Sequence, residues 1–189
     1  MKLILERGGM GLRCKWSIWV VAVGLCFLMG TAQASCQENR TTVAVNIAES
    51  IAVVTWPDAF LNLASNVTPG EVITSPPLGL VVKANSTWGV EISCDLVDGR
   101  MQEFDVGMDA YVPDGRVVSQ PLQWSTSGSG PWHPLSASPS SLVAGQAATG
   151  DGGADVQFYL RFAASYGDLP VAVGREYRLT LHYTAGLSY

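Results

Sequence analysis

Reactive side chains are scattered in this 189-residue sequence. Its two histidines, His133 and His182, stand far apart, with no Gly-x-Ser-x-Gly elbow and no histidine-rich metal spacing around them. His182 alternates onto the polar side of a strand-like run, where a solvated role is expected. His133 lies between Trp132 and Pro134 in a loop-like stretch, from which ligand contact is one reading. Asp105 and Asp109 share one face of another run, and solubility or protection of a sheet edge explains them. Asp151-Gly152-Gly153-Ala154-Asp155 sets two carboxylates around a flexible backbone. Asp151 and Asp155 are therefore the metal candidates, for calcium, which takes ~6–8 oxygen ligands; a solvated turn explains them as well. No catalytic or cofactor-binding residue is assigned, no cofactor is implied, and an enzyme is not expected.

The tryptophans offer a second kind of chemistry. Flat aromatic faces can stack against sugar rings, which makes Trp124, Trp132 and the neighbouring His133 candidate ligand contacts. Trp88 alternates with apolar residues and is expected in the core. Asn39, Asn66 and Asn85 head Asn-x-Ser/Thr triplets, which matter where the source glycosylates them.

The first 34 residues read as an address. Lys2, Arg7, Arg13 and Lys15 precede an apolar run ending at Met29, and Ala32-Gln33-Ala34 has the small residues of a signal-peptidase site. The run is short of the ~20 residues a spanning helix needs, so cleavage before Ser35 is the expectation, with a membrane anchor as the alternative. The product would be secreted, periplasmic or on the cell surface, with no membrane span in the mature chain. Four of the 11 basic and one of the 16 acidic residues fall within 1–34, leaving 7 basic against 15 acidic, a net charge of −8. That balance disfavours nucleic acid and anionic lipid. Two cysteines remain, Cys36 and Cys94, and a disulfide between them is expected in an oxidising compartment. A buried free thiol at Cys94 with an unpaired or lipidated Cys36 is the alternative.

Positioning falls to strands, because the dominant period is two. Leu78, Leu80, Val82 and Ala84 alternate, as do Trp88, Val90, Ile92, Cys94 and Leu96, with Asn85-Ser86-Thr87 between them. This predicts an antiparallel hairpin over 78–96. Further strands are expected over 42–47, 51–56 (buried on both faces), 71–74, 104–112 (paired back to the hairpin), 156–162 and 177–184. Residues 113–155, poor in core-building side chains, read as one long loop with short edge strands possible at 122–124 and 141–143. Loops of that length are commonly functional. The result is an all-β chain: an antiparallel immunoglobulin-like β-sandwich of about seven strands forming a single domain over 35–189.

The signal segment, the two mature cysteines, the sandwich strands and the closing run Tyr177-Arg178-Leu179-Thr180-Leu181-His182-Tyr183-Thr184 together resemble secreted bacterial fimbrial-type subunits. The spore coat protein U-like family, related to chaperone–usher pilins, is the nearest in pattern. The resemblance implies a subunit lacking one strand of its own sandwich, which it accepts from a neighbour or chaperone. The run 177–184 would then border the open groove, and partners would be further copies or other surface subunits. Cys36 departs from that pattern, standing second in the mature chain with no donor extension before it, although 41–47 could be repurposed. The expected function is a non-enzymatic structural or adhesive subunit, with an extracellular carbohydrate-binding module as the alternative.

Overall fold

The computed structural model describes residues 43–64 and 66–188, so the signal segment, Cys36 and Asn39 lie outside the described residues. The chain divides into two units, Met1–Ala48 and Glu49–Tyr189. Of the first, residues 43–48 are described; they are exposed and form no strand. The strand expected over 42–47 is therefore not formed in its described part, 43–47. Val43, Val45 and Ile47 are 65–84% exposed.

The second unit is all-β and antiparallel, with no helix among the described residues. Its strands among the described residues are β1 Ile51–Thr55, β2 Val72–Thr74, β3 Leu78–Ala84, β4 Trp88–Cys94, β5 Gln102–Asp105, β6 Ala110–Tyr111, β7 Gln123–Ser125, β8 His133–Pro134, β9 Ser140–Gln146, β10 Ala154–Ala163, β11 Arg175–Arg178 and β12 Leu181–Leu187. One sheet runs β1-β3-β10-β7-β8, with β2 also on β10. A second runs β12-β4-β9 and a third β11-β5-β6. The first two sheets share one apolar core: Leu80 and Val82 from β3 and Phe158 and Leu160 from β10 join Trp88, Val90 and Ile92 from β4 and Leu142 from β9.

The hairpin expected over 78–96 is not formed. β3 pairs with β1 and β10, whereas β4 pairs with β12 and β9. Residues 85–87 form an arch between sheets, so the two apolar faces meet across the core instead of lying side by side. Alternation fixes which way a side chain points, not which strand lies beside it. The arch is tied to both sheets. The Ser50 N–H donates to Asn85 Oδ1 at 2.6 Å, and the Ser188 N–H donates to Thr87 O at 2.9 Å.

Four further expectations are corrected. The run 104–112 breaks after β5, because Asp105 Oδ1 accepts the Gly107 and Met108 N–H groups at 3.0 Å each. The chain turns there and returns as β6, and β5 pairs with β11 and β6 rather than with the 78–96 segment. The run 177–184 divides at Leu179-Thr180, where the Asp95 N–H donates to Thr180 O and the Thr180 N–H to Asp95 Oδ1; β11 therefore joins the third sheet and β12 the second. β1 is half-exposed, because it forms one end of its sheet. Finally, 113–155 contains β7, β8 and β9, and its Val118, Leu122, Trp124, Leu135 and Leu142 are buried in the core. β10 matches its expected alternation, with Val156, Phe158, Leu160 and Phe162 buried.

Between β2 and β3 the prolines Pro76 and Pro77 cannot donate to a ladder. Ser75 bridges the gap: its N–H donates to Leu160 O at 2.8 Å, and its Oγ accepts the Leu160 N–H at 3.0 Å. β10 is thereby held along its full length.

Candidate functional site

Among the described residues β12 is paired with β4 alone and so ends its sheet, with β1 packed near it but not hydrogen-bonded to it. Its inward side chains Leu181, Tyr183, Ala185 and Leu187 pack on the core yet stay half-buried, while the inward residues of the central strand β4 are buried throughout. Beside this edge lies a groove of about 1250 Å³, walled by 56–64 on one side and by residues of β11 and β12 on the other. Leu122, Leu160 and Phe162 contribute to its lining from the core.

The wall at 57–64 follows β1. Pro57 lacks an N–H and disfavours continuation of the ladder. Among the described residues the backbone of 57–64 makes no hydrogen bond. Leu61 and Leu63 are half-buried against the core. Phe60 stays largely exposed with the Arg178 guanidinium 5.6 Å from its ring. Two stretches, 57–64 and the start of β12 at Leu181 and Tyr183, thus border one groove. Unpaired backbone and half-covered apolar side chains are what an additional strand would satisfy.

The end of the groove near β11 is charged but internally paired. Glu103, buried in β5, accepts the Arg116 N–H at 3.0 Å and the Arg175 guanidinium at 2.9 Å. These two donors hold its carboxyl below the ordinary glutamate range. Arg175 also reaches Asp105 at 3.5 Å. Arg178 stacks on Phe104 at 3.8 Å and pairs with Glu176 at 2.6 Å. Tyr111 donates its hydroxyl to Asp95 at 2.6 Å; burial and that carboxylate push the phenol up to about 12. Burial would raise the Asp168 carboxyl, but the Ser165 and Ser119 N–H groups outweigh it and hold the group low. Burial pushes the Tyr183 phenol up as well. Arg175 thereby ties β11 to β5, whereas Arg178 and Glu176 pair within β11.

The residues singled out in the sequence fall elsewhere. Trp124 is buried in the core at 6% exposure with His133 stacked on it at 4.9 Å, so its ring is not presented to solvent. Trp132 is half-buried under the Arg161 guanidinium, 4.5 Å from its ring. His133 and His182 are exposed. Asp151 and Asp155 are exposed, in a turn and at the start of β10, and among the described residues no group of three or more metal-ligating side chains gathers. Asp105 is half-buried and serves the β5–β6 turn and Arg175, and Asp109 adopts a positive φ of 51° near Arg178 at 3.7 Å. Cys94 is buried and has no disulfide partner among the described residues; its thiol donates to Leu96 O at 3.1 Å, and burial pushes it up. Its proposed partner Cys36 lies outside the described residues.

Residues 60–64 of the groove's first wall read in the sequence as either a short strand or a turn of helix and carry neither. The wall's signal was the alternation of Leu61 and Leu63 directly after a strand-breaking Trp-Pro pair. No family model matches the chain, and neither curated proteins nor solved structures give a match. Among the described residues no helix is long and apolar enough to cross a membrane.

Proposed function

We propose that the protein is a non-enzymatic, secreted or cell-surface structural or adhesive subunit that assembles by accepting a strand at the free edge of β12. The observation carrying this reading is that Leu181 and Tyr183, half-buried at the start of β12, line the apolar groove, while Ala185 and Leu187 farther along the same strand are likewise only half-covered. A strand laid there gains main-chain hydrogen bonds and seats every second side chain against the core. The immunoglobulin-like reading of the fold agrees: β1-β3-β10-β7 would face β9-β4-β12, the second sheet being one strand short. The resemblance to fimbrial-type subunits points the same way. The signal segment and a Cys36–Cys94 disulfide belong to this proposal and suit an oxidising compartment.

The donor is a second copy's 43–47 segment, whose Val43, Val45 and Ile47 alternate and are exposed in the free chain. Light scattering of the chain from Ser35 onward should show oligomers that grow with concentration. Val43→Asp with Val45→Asp should return it to monomers without loss of folding. A wild-type chain that stays monomeric at every concentration, or a variant that associates as before, would contradict the proposal.

A further inference from the structure

The outer face of the first sheet carries a built cluster remote in kind from the apolar groove. Tyr159 and Arg161 are two residues apart on β10, between the inward-facing Phe158, Leu160 and Phe162, so both point outward. Gln123 of β7 is the cross-strand partner of Arg161, and Ser125 is that of Tyr159. Arg161 donates through Nε and a terminal nitrogen to the same atom, Gln123 Oε1, at 3.0 and 2.6 Å. Its guanidinium lies on the Trp132 ring. Thus pinned on one edge and one face, the guanidinium still has N–H donors to offer, and it forms no salt bridge among the described residues. Arg175, Arg178 and Arg100, by contrast, each hold a carboxylate.

The loop between β7 and β8 is shaped around this cluster. Gly130 has φ +92°, and a Cβ there would stand 2.9 Å from Trp132 Cδ1, so glycine lets the indole fold back over Arg161. Gly128 passes over Tyr159, where a Cβ would meet the ring at 3.4 Å. Ser127 and Ser129, exposed and joined through their hydroxyls at 2.9 Å, border the same face.

We propose that Arg161, Gln123, Tyr159 and Trp132 form a binding site for an acidic saccharide. The guanidinium takes a hexuronate carboxylate, the half-exposed rings take the apolar face of the sugar, and the loop serines take its hydroxyls. A pre-positioned guanidinium suits a planar carboxylate, and aromatic faces suit a pyranose ring. The net negative charge of the chain favours a short ligand with isolated carboxylates over a dense polyanion. This inference does not rest on the assembly reading, because none of these four residues lines the groove.

The test is titration of the folded chain with tetragalacturonate, read by tryptophan fluorescence and calorimetry, alongside the uncharged galactose tetramer and inorganic phosphate. Tetragalacturonate should bind with a fluorescence change, the neutral tetramer and phosphate should bind much more weakly, and Arg161→Gln should weaken binding by at least about tenfold. Arg161→Lys should fall between. Should Arg161→Gln fail to fold, Trp132→Ala and Gln123→Ala are read instead, and each should weaken binding. No binding of tetragalacturonate, equal binding of the neutral tetramer, equal binding of phosphate, or indifference to these substitutions would overturn the proposal.

Discussion

β4 and β12 are adjacent, antiparallel and similarly patterned, yet they end in different states. Val90, Ile92 and Cys94 of β4 are buried, while Leu181, Tyr183, Ala185 and Leu187 of β12 are half-covered. The apolar content of the two strands is alike. What differs is pairing, since β4 is hydrogen-bonded to both β12 and β9, whereas among the described residues β12 is hydrogen-bonded to β4 alone and meets β1 without a ladder. Burial on a sheet is thus set by how many strands flank a residue as much as by its own type. The half-covered row on β12 is unused hydrophobic area, worth about 25 cal/mol for each Å² a partner removes from water.

Substitutions can break this contrast. Trp88→Ala, which also removes the indole N–H bond to Ala147 O, should destabilise the chain most, by about 4 kcal/mol in denaturant unfolding. Ile92→Ala should cost about 3 kcal/mol, because a cavity is left between two flanking strands. Leu181→Ala, on the open strand, should cost only about 1 kcal/mol. Equal losses at Ile92 and Leu181 would mean that β12 is as enclosed as β4. Glu103 sharpens the contrast in another way, by fastening β11 to β5. Its folded carboxyl sits below its ordinary value of 4.5, so its contribution is present above that value and lost as pH falls through the lowered one. Glu103→Gln should be less stable at neutral pH and show a shallower acid unfolding limb. The smallest effect is expected for Val43→Asp with Val45→Asp, about 0.5 kcal/mol or less for exposed positions, even though association is lost.

Much of this contrast was legible in the sequence. Period-two runs mark β3, β4 and β10 with nearly their observed limits. Sheet membership was not, because Leu78 to Ala84 and Trp88 to Cys94 show the same alternation whether they pair or face each other. Breaks inside apparent strands were hidden too. Asp105-Val106-Gly107 alternates as a strand would, but the carboxylate captures two backbone N–H groups and turns the chain. At Leu179-Thr180 the break depends on Asp95, 85 residues away, so no local pattern could reveal it. Residues 113–155 looked like a loop because β7 and β8 are so short that they hold few core residues each. The groove was legible only as an expectation from resemblance. That Leu61 and Leu63 form its first wall needed the fold to appear.

The central claim is that the edge of β12 accepts a strand, and adding a synthetic peptide of residues 41–49 to a chain lacking its own first 49 residues tests it most directly. Followed by amide hydrogen exchange, the peptide should slow exchange in β12 and 57–64 and raise the unfolding midpoint. Saturation at a hundred times the dissociation constant corresponds to about 2.7 kcal/mol. Unchanged exchange in β12 and an unchanged midpoint at saturating peptide would contradict it.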